Sequence, residues 1–442
     1  MENVVKHIVI NKLYDIYDYD IPFDRGGVAL ITGPNGFGKT TLLEIIKNAL
    51  SVNFWYFYDL LFQSIDIYLG DDTLLSFKKE KAQKKIVQHS LFGDDVDDFS
   101  DEIFFDLKIR HSDKDDKTLD SIILNHRRYV YLSERYSRTI IRRDGNTRYE
   151  ERVLADWNVL SKSDKDLRMQ FGELRLFAKD HPCNFVADQR IFIDKASRYA
   201  EDIPQADKYT ITFLAKQVKN LYLEQQGYYA DKSQLIDSSF IQRQIEKKHE
   251  SYSKEEYLEK IGRLKQKIAN YERFGLIEKY NLVEDYKEEL SVPLSMHIDD
   301  MYEKFSVYDE FYAKLERFDH FVNGKGLSNK KMILDARNGI TFRSESDQVI
   351  PLHKLSSGEQ NLVILYYRLV FETNNNTLLL VDEPENSMHV EWLQKMLPDY
   401  LEMKSNLGCQ MIIATHSPTF INGHWDIAYD LYGGSYQDWL ES

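Results

Sequence analysis

Cysteine is scarce. Cys183 and Cys409 are the only two in 442 residues, too few for a disulfide framework or for a zinc site of their own. That usage fits a reducing compartment. No uninterrupted apolar run approaches the roughly 20 residues that a bilayer-crossing helix needs. The opening residues Met1-Glu2-Asn3-Val4-Val5-Lys6 lack the basic-then-apolar order of a secretory leader. The expectation is a soluble, cytoplasmic chain with no membrane partner. Positive charge is also in deficit: 57 Lys and Arg face 72 Asp and Glu, for a net charge of −15. That excludes a surface coated in generic nucleic-acid affinity, although not a local basic groove. No internal repeat or low-complexity segment stands out.

Apolar material is ample, at 43% of residues, with 29 Tyr and 24 Phe. A chain of this length suggests two or three folded units. Its sharpest local signal is Gly33-Pro34-Asn35-Gly36-Phe37-Gly38-Lys39-Thr40, which fits the phosphate-binding pattern G-x-x-x-x-G-K-[ST]. The apolar run from Val28 to Thr32 predicts a buried strand before it, and Thr41 to Leu50 predicts a helix after it. Glycines let successive N–H groups turn inward toward phosphate oxygens, and a helix N-terminus adds partial positive charge. Asn35, Gly36, Gly38, Lys39, Thr40 and Thr41 are the candidate nucleotide ligands. Lys39 can reach the β- and γ-phosphates, and the Thr40 hydroxyl can ligate Mg²⁺.

Far down the chain, Leu378-Leu379-Leu380-Val381-Asp382-Glu383-Pro384 predicts an apolar strand ending in two carboxylates. In nucleotide hydrolases such a strand lies beside the one feeding the phosphate loop. Asp382 would then hold Mg²⁺, directly or through water, and Glu383 could act as general base on the attacking water. A buried strand with an acidic turn is the plainer alternative. Between these motifs, Leu355-Ser356-Ser357-Gly358-Glu359-Gln360 precedes a helix expected from about Asn361 to Phe371. Ser356, Ser357 and Gly358 form a helix start with free N–H groups and hydroxyls, or an ordinary cap. Met411 to Thr415 predicts another buried strand, ending at His416, which is well placed to touch a γ-phosphate or is simply structural.

These four motifs, in this order, resemble the ATP-binding-cassette (ABC) ATPases, and more narrowly the soluble branch of SMC proteins and overcoming-lysogenization-defect (OLD) nucleases. Ser-Ser-Gly-Glu stands where transporters usually carry Ser-Gly-Gly-Gln, which disfavours a transporter's cassette subunit. Asn386 to His389 matches the D-loop region. The resemblance covers roughly residues 1–50 and 330–425 closely. It implies an α/β fold: an ABC-type P-loop ATPase with a mixed central sheet, a flanking antiparallel sheet and an inserted helical or short coiled-coil arm. It implies ATP and Mg²⁺ as ligands. It also implies a homo-oligomer, at least a dimer, in which Ser356 and Gly358 of one copy face Lys39 of another.

More than 300 residues separate loop and signature. The expected division is 1–204, the first part of the ATPase core with an antiparallel insert; 205–325, a helical insert; and 326–442, the rest of the core. Ser64 to Leu69, a turn at Gly70-Asp71-Asp72, and Ile103 to Ile109 read as antiparallel strands. The run Asp94-Asp95-Val96-Asp97-Asp98 reads as a solvated loop. Residues 126–152 carry Arg127, Arg128, Arg135, Arg138, Arg142, Arg143, Arg148 and Arg152, with Tyr129, Tyr131, Tyr136 and Tyr149 among them. Arginine forks and tyrosine rings can bind DNA or an acidic protein imitating it; a hairpin with solvated charges fits equally. Phe185 to Arg190 reads as a further core strand, with Gln189 a candidate Q-loop glutamine. Residues 205–325 read as helical throughout. Tyr257, Ile261, Leu264, Ile268 and Tyr271 form a short heptad seam, and a continuous helix from Glu246 to Tyr271 would be about 39 Å long. It has no Cys-x-x-Cys at an apex, which excludes a zinc hook. Lys331 to Leu334 and Gly339 to Phe342 read as strands returning to the signature.

Stand-alone OLD-like ATPases of this size occur mostly in bacterial anti-phage systems. Many relatives carry a fused Toprim nuclease, whereas this sequence runs only about two dozen residues past His416. The resemblance therefore implies a separate Toprim-type effector protein, held inactive by the ATP-bound oligomer, and a phage-encoded trigger protein imitating DNA. The charge contrast of residues 126–152 with the rest of the chain makes that segment the candidate for binding the trigger. A DNA-repair or SMC-like ATPase clamping duplex DNA directly is the alternative.

Overall fold

Short runs of β-branched and leucine residues with almost no charge build the central sheet. In a computed structural model, residues 4–23, 27–53, 56–57, 60–81, 103–110, 137–144, 147–154, 177–188, 191, 209–246, 250–374 and 376–435 are described. Strands β3 (Val28–Thr32), β9 (Cys183–Val186), β13 (Leu378–Asp382), β14 (Gln410–Ala414), β15 (Ala428–Asp430) and β16 (Gly434–Ser435) form one sheet in the order β16-β15-β3-β14-β13-β9. All its pairings are parallel except β15 with β16. Every residue of β13 and β14 is buried, the signature of strands covered on both faces.

The acidic strand β13 was expected beside β3, but β14 lies between them. The chain leaves β13 through a helix, α7 (Val390–Leu407), and returns into the slot next to β3. The helix following the loop, α1 (Lys39–Leu50), packs against β13, β14 and β9, so its N-terminus still reaches the end of β13. The strand expected over Phe185–Arg190 is β9, which begins earlier and ends at Val186, where its parallel pairing with Val381 of β13 stops.

A second, antiparallel sheet has the order β2-β1-β4-β5-β6. Its strands are β1 (Val5–Leu13), β2 (Tyr17–Pro22), β4 (Ser64–Leu69), β5 (Leu74–Lys81) and β6 (Ile103–Arg110). Period-two patterning buries Ile65, Ile67 and Leu69. Those side chains join Leu42, Leu43, Ile45 and Ile46 of α1 and Leu378 and Leu380 of β13 in one apolar core. The arginine-rich segment contributes a two-stranded hairpin, β7 (Ser137–Asp144) and β8 (Thr147–Leu154).

By compactness the chain divides into two units. One comprises Met1–Arg190, Asp194–Ile203 and Glu372–Ser442; the other comprises Ile191–Ile193 and Pro204–Phe371. The boundary expected after residue 325 falls inside the second unit. That unit contains α2 (Thr210–Glu246), α3 (Lys254–Arg273), α4 (Ser291–Phe305), α5 (Asp309–Asn323), the small sheet β10 (Lys330–Asp335), β11 (Gly339–Ser344) and β12 (Val349–Ile350), and the signature helix α6 (Ser357–Phe371). The 37 residues of α2 make it about 55 Å long.

The expected continuous helix from Glu246 to Tyr271 is broken. A capping box starts α3 afresh: Ser253 Oγ accepts from Glu256 N at 3.3 Å, and Glu256 Oε2 accepts from Ser253 N at 2.9 Å. Nor is the insert helical throughout, since 274–287 carry no helix. The seam Tyr257, Ile261, Leu264, Ile268 and Tyr271 is buried, but within the unit itself. Tyr271 meets Phe305, Tyr308 and Tyr312 edge-on, and Tyr302 Oη donates to Lys260 O at 2.9 Å. The short seam is a core face of this helical unit.

Candidate nucleotide site

Strand, glycine-rich loop and helix occur where the sequence predicts them, with α1 starting two residues early at Lys39. Gly33 sits at φ 140° and Gly38 at φ 78°, conformations that favour glycine. A side chain at Gly33 would also press within 3.4 Å of Asp430 Oδ1 and the Leu431 side chain. The antiparallel sheet steadies the loop: Tyr19 Oη donates to Phe37 O at 2.6 Å, and Tyr14 Oη lies 3.0 Å from Thr41 Oγ1. Asn35 and Gly36 are exposed at the loop's crest.

Lys39 is only 6% exposed. Its ammonium donates to Gly33 O at 2.9 Å and to Pro34 O at 3.4 Å, and lies 3.7 Å from Glu383 Oε1. Beside it, exposed Thr40 donates its hydroxyl to Asp382 Oδ2 at 2.8 Å. Burial raises the Asp382 carboxyl above the ordinary carboxylate range; the Thr40 bond opposes this and Asp188 adds to it. A hydroxyl and a carboxylate oxygen at this spacing form a hard-oxygen donor pair that fits Mg²⁺.

Glu383 follows β13 directly at φ 44°, a left-handed conformation that costs a non-glycine residue about 1–2 kcal/mol. The turn directs its N–H to Ala414 O at 2.9 Å and its carboxylate to a hydrogen bond with His416 Nδ1. Burial raises its carboxyl, Glu385 adds to the rise, and His416 and Lys39 oppose it. The end of β14 is fixed by Glu385, which accepts from the Thr415 hydroxyl, from His416 N at 2.9 Å and from Ser417 N at 3.1 Å. Glu383, Glu385 and His416 thus form one acid–imidazole cluster.

The structure therefore brings Lys39, Thr40, Asp382, Glu383 and His416 together. Sequence reasoning missed Glu385 and Tyr14. The only trace of Glu385 was a second acid in Glu-Pro-Glu, and its partners, the Thr415 hydroxyl and the backbone N–H groups of His416 and Ser417, lie about thirty residues downstream. Tyr14, at the turn between β1 and β2, is 39% exposed and carried no motif. Beyond β9, Asp188 accepts a hydrogen bond from Asn386 of the expected D-loop.

Ser356, Ser357 and Gly358 belong to the second unit. Ser356 caps α6, and both serines are exposed while Gly358 is buried. Gln189, Arg127, Arg128 and Arg135 lie outside the described residues, as does the run 94–98. Arg138, Arg142 and Arg143 fall on β7, where the register pairs Arg142 with Tyr149 and Arg143 with Arg148. Among the described residues, no helix is long and apolar enough to cross a membrane.

Residues 10–421 match a family model described as an AAA ATPase domain. An uncharacterized ABC transporter ATP-binding protein, found in two strains of Mycobacterium tuberculosis, is 32% identical over 111 residues. That stretch is 25% of this chain and 43% of the relative, so this chain spans less than half the length of the curated relatives it matches. Among solved structures, an Smc head bound to the C-winged helix domain of ScpA aligns with a TM-score of 0.40 at 11% identity, covering 95% of this chain and 91% of that one. An Smc head with an extended coiled coil, bound to the C-terminal domain of ScpA derived from Pyrococcus furiosus, gives 0.38 at 12% identity over the same shares.

Proposed function

The chain belongs to the AAA ATPase domain family, and on that premise we propose that it binds MgATP on the Gly33–Thr41 loop and hydrolyses it in a nucleotide-gated homo-oligomer. One observation carries this reading: Thr40 donates to Asp382 and Lys39 lies against Glu383, so two distant motifs share one site. Thr40 and Asp382 would hold Mg²⁺, which supplies neutralising charge to the phosphates. Lys39 exchanges the Gly33 and Pro34 carbonyls for phosphate oxygens. Glu383, its carboxyl raised by burial, accepts a proton from water. His416 orients the Glu383 carboxylate and offers its exposed ring to the γ-phosphate. Ser356, Ser357 and Gly358 of one copy close over the triphosphate held by another, as the motif resemblance implies.

The motif spelling supports a role like that of AriA, the ATPase of the PARIS anti-phage system. In this reading the assembled oligomer restrains a separate Toprim-type effector, and a phage protein resembling DNA releases it. The arginines of 126–152 on an otherwise acidic chain support that segment as the sensor. They also favour the alternative, a DNA clamp, whose duplex affinity would fall steeply with salt.

The test of the ATP site is Lys39→Ala, expected to abolish fluorescent-nucleotide binding, paired with ATP turnover across a range of protein concentrations. Turnover per chain that is independent of concentration, in a monomeric sample, would overturn the shared-site reading. Charge reversal of Arg142 and Arg143 is expected to abolish triggering and leave assembly intact; retained triggering removes that segment from the scheme.

A further inference from the structure

The Ser356 hydroxyl has one proton, and in this structure that proton is committed. Ser356 Oγ donates to Glu359 Oε2 at 3.0 Å, and Ser356 N donates to the same oxygen at 2.8 Å. In return Glu359 N donates to Ser356 Oγ at 3.3 Å, completing a capping box at the start of α6. Glu359 is 5% exposed. A carboxylate buried to that degree needs its hydrogen-bond donors. For Ser356 to donate to a phosphate, Glu359 must give up one of them.

Lys330, the first residue of β10, supplies the replacement. Its ammonium donates to Glu359 Oε1 at 2.7 Å and to Oε2 at 2.9 Å. Burial alone would raise the Glu359 carboxyl; the bonds from Lys330 and from Ser356 outweigh it and hold the group below its ordinary value. When the Ser356 proton turns away, Glu359 keeps Lys330 on both oxygens and the Ser356 N–H. Without Lys330 it would keep the N–H alone.

We propose that Lys330 is a positioning residue for the signature: by satisfying the buried Glu359 carboxylate, it releases the Ser356 hydroxyl to donate to a triphosphate held by a second copy of this chain. The inference rests on the reading of Ser356 as a ligand acting between copies. It places the control of that serine on a strand that carries none of the four motifs.

The experiment uses the full chain in a Glu383→Gln background, with fluorescent mant-ATP for binding and light scattering after gel filtration for ATP-dependent assembly. Lys330→Met is expected to leave mant-ATP binding unchanged, to lower the melting temperature because the buried Glu359 carboxylate loses its cation, and to raise the ATP concentration for half-assembly about tenfold. Lys330→Arg is expected to assemble like the parent. Lys330→Met with Glu359→Gln is expected to recover assembly, because a neutral amide still closes the capping box and has no charge to satisfy. Lys330→Met assembling at the parent's ATP concentration overturns the inference. So does a double variant as defective as Lys330→Met, or loss of mant-ATP binding in Lys330→Met. A parent that binds mant-ATP and never assembles overturns the underlying reading of Ser356 instead.

Discussion

Thr40 donates its hydroxyl to Asp382 across 2.8 Å, although 342 positions separate the two residues in the chain. Asp382 is 3% exposed, so the bond satisfies a buried carboxylate that would otherwise be costly to leave. Thr40→Val keeps the side-chain shape and removes the donor. Its affinity for ATP with Mg²⁺ should fall by about 10–100-fold, with little change in EDTA. Calorimetric titration under both conditions checks this. Equal losses with and without the metal would mean that Thr40 serves only the loop.

Glu383 stands where two influences meet: burial and Glu385 push its carboxyl up, while Lys39 and His416 hold it down. Glu383→Gln retains the size and removes the proton acceptor. Steady-state ATP turnover should fall by about 10²–10⁴-fold, while nucleotide-dependent assembly persists because the loop and Asp382 are intact. Phosphate-release kinetics beside gel filtration measure the two separately. Unchanged turnover would remove Glu383 as the base.

Most of this site was legible because its signals are local. Gly33 to Thr40 needs specific backbone turns, and those turns need glycine, so residue types report geometry directly. Asp382 and Glu383 were legible as the end of an uncharged strand. The insertion of β14 between β3 and β13 was not, because strand order depends on where a crossover helix returns and not on the strand's own composition. Ser253 and Glu256 did carry the signal for the helix break, but the apolar seam that follows masked it. Glu385 and Lys330 were illegible for another reason: their partners become neighbours only in the folded chain.

Both cysteines should be unreactive in the native protein. Burial pushes the Cys183 thiol up to about 12 and the Cys409 thiol up to about 11, outweighing Lys47 and Lys404 respectively. At pH 8 the thiolate fractions are then roughly 10⁻⁴ and 10⁻³, and the thiolate is the nucleophile. A disulfide reagent such as DTNB should label neither within minutes, yet label both in guanidinium. Raising native protein from pH 8 to pH 10 should accelerate labelling by about 100-fold. Rapid native labelling of Cys183, which is partly accessible, would show that its thiol is not held protonated.

One ion pair gives the fold a pH dependence away from the candidate nucleotide site. His181 Nε2 lies 3.4 Å from Asp71 Oδ2 at the turn between β4 and β5, and His181 Nδ1 lies 2.9 Å from Phe177 O. Burial lowers the His181 pKa, but the bonds to Asp71 and Phe177 outweigh it and leave it above its ordinary 6.5. The His181 bond holds Asp71 well below its ordinary 3.8. The histidine's contribution is therefore complete below pH 6.5 and lost as pH rises through its raised folded value. The aspartate's contribution is present above pH 3.8 and lost as pH falls through its depressed one. Because the Asp71 side chain is 42% exposed, solvent screening keeps the effect within about 1 kcal/mol. The urea midpoint should fall between pH 6 and pH 8 more steeply in the parent than in His181→Asn, and the difference should shrink in 0.5 M salt, roughly a 4 Å Debye length. Identical slopes for the two proteins would mean that the pair does not couple protonation to folding.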